Sequence, residues 1–245
     1  MTQAQEIPGI SKEEIARLVE AIDYSEALTV VATEEDVRRA CMAASQFGFR
    51  AVVAFPHHLG VLVDTLKDSG VLAQIAVGFP CGGNTTHVKC CEAEEGLKRG
   101  ATDLDMVMNI GAFKAGDYGK VIRDINEVVA VAKPFNVPFK VIIEIGVLSE
   151  SEKVTAAKLV ADSGASFVKT CTGFAEGRAT LHDIALIKQT VGEQVGIKAS
   201  GGVASIEDGV AFMRAGATVV AMRGFLLEQL KATGWGCGEP NAIGK

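Results

Sequence analysis

Eight short apolar runs alternate with eight segments of helical periodicity along the chain, and this alternation constrains the fold more than any other feature. Strands are predicted at 22–25, 51–55, 72–77, 104–108, 139–145, 167–169, 195–199 and 218–222. A helix is predicted after each strand, at 34–47, 59–68, 86–99, 117–132, 150–163, 180–191, 205–214 and 225–232. Such alternation implies parallel strands with right-handed crossovers, and eight units imply an α/β fold of the closed (β/α)8 type, the TIM barrel.

The two ends of the chain lie outside this repeating pattern. Residues 11–21 predict a short extra N-terminal helix, because Ser11 and Glu14 have the spacing of a capping box. No composition break divides the sequence, so a single barrel domain over 1–245 is expected, with a flexible glycine-rich tail at 233–245. An open doubly wound sheet is the alternative, although its dinucleotide-binding form would carry a GxGxxG motif after the first strand, and none is there.

Composition limits the classes of function. The net charge is −6 and the sequence pI is near 5.3, which disfavours binding to nucleic acid or to an anionic membrane surface. No apolar run reaches the ~18 residues of a membrane-spanning helix, and the N-terminus lacks the apolar core of a signal peptide. The six cysteines, at 41, 81, 90, 91, 171 and 237, form no CxxC pair. We therefore expect a cytoplasmic protein with reduced thiols.

Charged residues occur at the C-terminal ends of several predicted strands, which is where barrel enzymes hold their chemistry. A parallel strand covered on both faces should be continuously apolar, so a charge at its end needs a reason. Any one of them could reach solvent or form a satisfied ion pair in the core. Their convergence at one mouth favours a polar reaction site, and the residues are Asp23, Asp105, Glu144, Lys169 and Lys198.

Two of these residues are lysines on adjacent strands. The two-residue period of a strand points Lys169 and Lys198 into the barrel if their apolar neighbours face the helices. A free lysine is neutral in only about one molecule in a thousand at physiological pH. Repulsion by Lys198 on the order of 2–3 kcal/mol, together with desolvation, is expected to lower the pKa of Lys169 and leave an amine able to form a Schiff base. Asp105 would then move protons across the mouth with Lys198.

A glycine turn and an arginine after the seventh and eighth strands predict an anion site. The N–H groups of Gly201 and Gly202 can approach a phosphate, and the helix that follows Gly224 would present its positive N-terminus. The guanidinium of Arg223 would add a charged fork. A tight turn beside a surface arginine is the simpler alternative. The four histidines do not converge, so we expect no metal and no other cofactor.

Four segments together resemble the deoxyribose-phosphate aldolase family. They are FVKTCTGF at 167–174, IKASGGV at 197–203, TDLDMVMNIG at 102–111 and KVIIE at 140–144. The similarity runs over 22–230, nearly the whole chain. It implies a class I aldolase that needs no metal and that reversibly cleaves 2-deoxy-D-ribose 5-phosphate to glyceraldehyde 3-phosphate and acetaldehyde.

The resemblance also implies roles for individual residues. Lys169 would be the Schiff-base lysine, Lys198 the second lysine and Asp105 the proton-relay acid. The polar groups that it places against the substrate are Asp23, Ser25 and Thr172. With the residues already singled out, the predicted substrate-binding set is Asp23, Ser25, Glu144, Thr172, Gly201, Gly202, Arg223 and Gly224.

The sequence departs from the family pattern mainly where a phosphate is expected. This sequence has Arg223-Gly224 where the family usually has small hydroxyl residues. Ala204 stands where an arginine is usual, and Phe174 stands where a lysine is common. Val53, Ile145 and the segment 23–26 are also unusual for the family. The first alternative is therefore an aldolase or transaldolase of the same family that acts on another phosphorylated or anionic sugar. A sugar-phosphate isomerase or binding protein without a covalent intermediate is the second. A small-molecule substrate and a homo-oligomer are expected.

Overall fold

The computed structural model describes residues 6–236 and contains a closed barrel of parallel strands. The strands are β1 Ile22–Tyr24, β2 Ala51–Ala54, β3 Leu72–Val77, β4 Asp103–Val107, β5 Phe139–Ile142, β6 Phe167–Lys169, β7 Gly196–Ala199 and β8 Val219–Met222. Each strand pairs with its neighbours in sequence, and β1 pairs with β8 to close the cylinder. The predicted (β/α)8 barrel is confirmed.

The helices form the outer layer. They are α1 Lys12–Glu20, α2 Glu34–Phe47, α3 Leu59–Leu66, α4 Thr86–Lys98, α5 Ile110–Lys114, α6 Tyr118–Ala132, α7 Glu150–Asp162, α8 Leu181–Val191, α9 Ile206–Arg214 and α10 Leu226–Ala232. Short 3-10 turns occur at Pro56–His58, Lys133–Phe135 and Ile145–Val147. The predicted helices agree with these bounds to within two residues, whereas α5 was not predicted.

Local side-chain chemistry sets many of the helix ends. The predicted capping box of α1 is present, because the Glu14 N–H donates to Ser11 Oγ and the Ser11 N–H donates to the Glu14 carboxylate. Helices α2, α7 and α8 begin with the same reciprocal arrangement. Gly48 ends α2 with a left-handed φ of 80°, which frees the chain to turn into β2.

The core has an apolar outer layer and a charged centre. Outward-facing strand residues such as Val52, Leu104 and Val168 are buried under the helices. The barrel interior instead holds polar side chains that are at most 2% exposed, namely Asp23, Gln74, Asp103, Asp105, Lys140, Lys169 and Lys198. Charges removed from water in this way must be paired with one another.

The described part of the C-terminal segment is packed against the barrel. Trp235, inside the predicted flexible segment 233–245, packs against the core, and its indole N–H donates to the Phe47 carbonyl at 3.2 Å. Residues 233–236 are therefore held to the barrel, while 237–245, including Cys237, lie outside the described residues. Between residues 6 and 236, no helix has both the length and the apolar character needed to cross a bilayer.

Candidate active site

The site is centred on Lys169, the last residue of β6. Lys169 is 2% exposed and lies directly opposite Lys198 in the β6–β7 register. Its Nζ donates to Oδ2 of Asp105 at 2.6 Å. The inward direction predicted for all three side chains is confirmed by their burial and mutual contacts.

Asp105 joins the two lysines. Its Oδ2 also accepts a hydrogen bond from Lys198 Nζ at 2.9 Å, and its Oδ1 accepts one from Gln74 Nε2 at 2.5 Å. Lys198 in turn forms an ion pair with Asp23 Oδ2 at 2.6 Å. Every polar atom of Asp105 therefore has a partner, which fixes the carboxylate midway between the two ammonium groups.

A second tier of charged side chains lies below Asp105 and the two lysines, toward the N-terminal ends of the strands. Lys140 on β5 contacts Asp103, and Arg50, just before β2, pairs with Asp23 at 2.5 Å and with Asp103 at 2.7 Å. Lys140 also lies 3.7 Å from Asp23 and 3.5 Å from Asp105, which links the two tiers. The barrel axis thus carries one continuous ion network.

This network has more cationic than anionic groups. Its basic members are Arg50, Lys140, Lys169 and Lys198, and its acids are Asp23, Asp103 and Asp105. Full protonation of the bases would leave a net positive charge in a region shielded from water. Loss of a proton from one lysine relieves that excess.

Lys169 has a lowered pKa, so it can lose its proton near physiological pH. Burial lowers the pKa of Lys169 to about 8, the cation of Lys198 adds to this effect, and the Asp105 carboxylate opposes it. Repulsion by Lys198 is the leading cause expected from the sequence, whereas burial is the larger one and a carboxylate oxygen lies between the two amines. At a pKa of about 8, roughly a tenth of the amine is neutral at pH 7.

The neighbouring groups keep their charges. Burial by itself disfavours the charged form of Lys198, but Asp105 and Asp23 outweigh it and raise the pKa of this lysine. Burial likewise works against ionisation of Asp23, yet Lys198, Lys140 and Arg50 lower its pKa to about 2. The pKa of Asp105 is held well below its usual range in the same way, by Lys169 and Lys198 against the effect of burial. The site therefore combines one titratable amine with a fixed carboxylate and a fixed ammonium group.

A cavity of about 100 Å³ opens in front of Lys169 and is here called the inner cavity. Its walls are Ser25, Leu28, Val53, Lys169, Thr172, Gly173, Phe174, Ser200, Gly201, Gly202, Val203, Ala221 and Arg223. Six of the predicted site residues line it: Ser25, Lys169, Thr172, Gly201, Gly202 and Arg223. A small carbonyl compound can therefore reach the amine.

The other predicted site residues lie behind or beside this cavity. Asp105, Lys198 and Asp23 are fully buried beneath it. Glu144 is 2% exposed and has a left-handed φ of 54°, and it turns its carboxylate to the Thr172 N–H and, at 2.5 Å, to the Thr172 hydroxyl. Glu144 therefore stabilises the segment after β6 and does not line the inner cavity.

The segment after β6 is held on two further sides. Gly146 packs so closely on it that an added Cβ would lie 2.1 Å from the Glu176 carbonyl oxygen. Phe174 packs edge-on against Phe55 and Phe79, with ring centroids 6.2 and 5.0 Å apart. This aromatic cluster forms an apolar side of the mouth at the position where the family resemblance implies a lysine.

The predicted anion-binding end of the site consists of two connected spaces. The inner cavity continues past Gly173, Gly201, Gly202, Val203 and Arg223 into a wider space of about 460 Å³, the outer groove. Gly224 lines that groove too, but its N–H donates to Glu26 Oε2 at 2.6 Å. The amide predicted to receive an anion at the start of α10 is therefore occupied by a carboxylate of the chain itself.

Four residues of the network were not identified from the sequence: Arg50, Gln74, Asp103 and Lys140. Lys140 and Asp103 carried the signal that identified Lys169 and Asp105, since each interrupts an apolar strand at an inward position. Gln74 interrupts β3 in the same way, although it is uncharged, whereas Arg50 precedes β2 and carried no such signal. Across the described residues, no cluster of three or more His, Cys, Asp or Glu side chains is placed to hold a metal ion.

The fold and site together define a (β/α)8 barrel with a buried, cavity-facing amine of lowered pKa. The model of the DeoC/LacD family of aldolases matches residues 17–235. A deoxyribose-phosphate aldolase from Carboxydothermus hydrogenoformans is 43% identical over 204 residues, which cover 82% of this chain and 89% of that protein. The protein of the same name from Caldanaerobacter subterraneus subsp. tengcongensis is 40% identical over 228 residues, covering 92% and 98%.

Solved structures give the same relationship. The tetrameric deoxyribose phosphate aldolase from Aeropyrum pernix has a TM-score of 0.81 and 29% identity to this chain, covering 91% of this chain and 99% of that one. The chain belongs to the DeoC/LacD aldolase family, as its motifs predicted. It is accordingly an aldolase, a carbon–carbon lyase.

Proposed function

We propose that this protein is a class I aldolase that forms a Schiff base through Lys169 and reversibly cleaves 2-deoxy-D-ribose 5-phosphate to glyceraldehyde 3-phosphate and acetaldehyde. The observation that carries the proposal is the buried Lys169 amine, which has a pKa of about 8 and faces a cavity. The names of the relatives supply the substrate. An amine that is partly neutral near physiological pH is what addition to a carbonyl requires.

The bond changes follow from the chemistry of an iminium ion. The neutral amine of Lys169 adds to the aldehyde carbon C1 of the open-chain sugar, and loss of water gives the protonated imine. The C3 hydroxyl then loses its proton, the C2–C3 bond breaks, and its electron pair moves into the iminium as an enamine. The C3 fragment leaves as glyceraldehyde 3-phosphate. Protonation of the enamine at C2 and hydrolysis release acetaldehyde and restore the amine.

The proton transfers are assigned to the groups that surround Lys169. Asp105 contacts both ammonium groups, so it is proposed to relay a proton between Lys169 and Lys198 while it remains ionised between transfers. Lys198 keeps a raised pKa, so it is protonated when a proton is needed and otherwise remains a positive charge beside the developing anion. Ser25 and Thr172, on the cavity walls, are proposed to bind sugar hydroxyl groups.

A combined activity and trapping experiment tests the proposal. The purified protein should release glyceraldehyde 3-phosphate from 2-deoxy-D-ribose 5-phosphate, and EDTA should leave the rate unchanged. Lys169→Leu should abolish both the release and covalent trapping by borohydride. Lys120→Leu, an exposed substitution on α6, is the matched control and should retain both. Full activity of the Lys169→Leu variant would refute the mechanism.

A related anionic sugar is the second candidate substrate. The observation in its favour is the contact of the Gly224 N–H with Glu26, which alters the end of the pocket where a phosphate was expected. A panel of aldose phosphates and sugar acids, compared by kcat/KM in the cleavage direction, separates the two. A higher value for any other member than for 2-deoxy-D-ribose 5-phosphate would favour this alternative.

We extend the proposal to location and assembly. The cysteines of the described part, Cys41, Cys81, Cys90, Cys91 and Cys171, are all free thiols, in keeping with a reducing cytoplasm. A homo-oligomer is proposed because a structural relative is tetrameric. Light scattering of the purified protein tests this point, and a mass equal to the 25.7 kDa chain would contradict it.

A further inference from the structure

The amide at the start of α10 is not open to a substrate anion. The Gly224 N–H donates to the Glu26 carboxylate at 2.6 Å, and Glu26 belongs to the segment after β1. A phosphate brought to this point would lose the hydrogen bond and would meet a like charge. An anionic substrate must therefore place its charged group elsewhere along the mouth.

The outer groove offers such a place. Of the residues that the structure describes, no acidic side chain lines it, whereas Arg178 and Arg223 both do. Over residues 6–236, neither guanidinium forms a hydrogen bond or ion pair with another protein group. Two unpaired arginines beside a groove that leads to the Schiff-base lysine are suited to a doubly charged phosphoryl group.

The groove floor adds backbone donors. Gly201 and Gly202 have φ values of 80° and 100°, and in the described chain the N–H groups of Gly201, Gly202 and Val203 donate to no protein acceptor. Successive N–H groups in a turn of this kind form a concave site for an anion. Arginine side chains and free amides therefore converge on the same groove.

Arg178 is fixed in place by the backbone on either side of it. The Ala179 N–H donates to the Gly201 carbonyl at 2.9 Å, and Gly177 packs on Gly146. A Cβ on Gly202 would lie 3.1 Å from the Arg178 Cβ, so the absence of a side chain at Gly202 makes room for the arginine stem. The segment after β6 thus carries a cation next to the turn after β7.

Arg178 also supplies a positive charge near a position where this sequence lacks the arginine of the family pattern. Ala204, where the family resemblance implies an arginine, lines the same groove without a charge. Arg178 supplies a guanidinium to that groove from the neighbouring segment. No motif in the sequence had singled out this residue.

We propose that Arg178, acting with Arg223, binds the terminal phosphoryl group of the substrate in the outer groove. Glu26 occupies the amide in the turn after β8 and excludes the phosphoryl group from it. The proposal rests on the aldolase function proposed above and adds the residues that select a phosphorylated substrate.

The test compares 2-deoxy-D-ribose 5-phosphate with unphosphorylated 2-deoxy-D-ribose. In Arg178→Gln, the ratio of kcat/KM for the two sugars should fall by about tenfold or more, mainly through a higher KM for the phosphorylated one, because a charge-assisted hydrogen bond is lost. Arg178→Lys should give an intermediate ratio, since charge is kept and the fork is not. Arg99→Gln, at the opposite end of the barrel, is the control and should keep the wild-type ratio.

The outcomes separate this inference from the proposed function. An unchanged ratio in Arg178→Gln, whether both activities stay the same or both fall equally, overturns the role of Arg178. Failure of the wild-type protein to trap acetaldehyde overturns the Schiff-base function instead, because acetaldehyde carries no phosphate.

Glu26→Gln tests the closing of the turn after β8. The amide oxygen of glutamine can still accept from the Gly224 N–H, so only the charge is removed. The KM for the phosphorylated sugar should fall about twofold or more at low ionic strength, where repulsion is least screened. An unchanged or higher KM would overturn the role of Glu26.

Discussion

Lys169 and Lys198 lie opposite each other on β6 and β7, and both donate to the same oxygen, Oδ2 of Asp105. A lone pair of buried ammonium groups on adjacent strands would repel strongly. The shared carboxylate instead holds them together while only one of them, Lys198, is bound by a second carboxylate, that of Asp23. This asymmetry gives the two lysines pKa values on opposite sides of the ordinary one.

The first prediction concerns pH. Because burial lowers the pKa of Lys169 to about 8, the neutral amine increases as the pH rises through 8 and approaches its maximum about one unit higher. The initial rate of borohydride-dependent trapping by acetaldehyde should therefore rise with a midpoint near pH 8, measured by mass spectrometry of quenched samples. A midpoint near 10.5, the ordinary value for lysine, would contradict the assignment.

The second prediction uses Asp105 and Lys198 to move that midpoint in opposite directions. Asp105 raises the pKa of Lys169, so Asp105→Asn should shift the trapping midpoint to lower pH. Lys198 lowers the pKa of Lys169, so Lys198→Met should shift it to higher pH. Both variants should lose about 100-fold or more in kcat for sugar cleavage, because a proton-transfer group is removed.

These two shifts distinguish an electrostatic role from general damage to the fold. Circular dichroism of each variant provides the control for folding. Shifts in the same direction, or no shift in either variant, would show that the two side chains do not set the pKa of Lys169.

The third prediction concerns the lower tier of the ion network. Arg50→Met removes one ion-pair partner from each of Asp23 and Asp103 and should lower the free energy of unfolding by about 3–5 kcal/mol, because both buried carboxylates lose a close positive charge. Urea denaturation followed by circular dichroism measures the change. Arg38→Met, which breaks an exposed pair with Glu34 on α2, should cost less than about 1 kcal/mol. Equal losses in the two variants would count against the network.

The fourth prediction tests the support of the segment after β6. Gly146→Ala places a Cβ 2.1 Å from the Glu176 carbonyl oxygen, so the segment must move. We expect a loss of about 1–3 kcal/mol in stability and a higher KM for the sugar phosphate. The control Gly60→Ala lies on α3, where the added Cβ would make only an ordinary contact of 3.9 Å with the Arg99 guanidinium, and it should be neutral or stabilising by up to about 1 kcal/mol. An unaltered KM in Gly146→Ala would contradict a role for this contact in substrate binding.

Much of the barrel was predictable because its signals are local. The apolar strands, the capping box at Ser11 and the glycine that ends α2 each depend on a few neighbouring residues. Helix α5 was missed because Ile110–Lys114 is only five residues long and has no clear period. The predicted fifth strand was too long because Glu144 leaves the extended conformation to reach Thr172, a contact that depends on the folded barrel.

The candidate site was predictable to a smaller degree. Charges at strand ends indicated the mouth, and the period of two indicated which of them point inward. The sequence does not reveal that a carboxylate oxygen lies between Lys169 and Lys198, because that geometry depends on the barrel closing across strands that are far apart in the chain. The capture of the Gly224 amide by Glu26 is long-range in the same sense, since it joins the first and last strands of the barrel.

Reductive trapping with acetaldehyde is the most direct test of Schiff-base formation at Lys169. The wild-type protein is treated with acetaldehyde and borohydride, digested and analysed by tandem mass spectrometry. We expect one N-ethyl lysine at position 169, formed by reduction of the imine and absent from Lys169→Leu. No adduct, or an adduct on Lys198 with Lys169 unmodified, would contradict it.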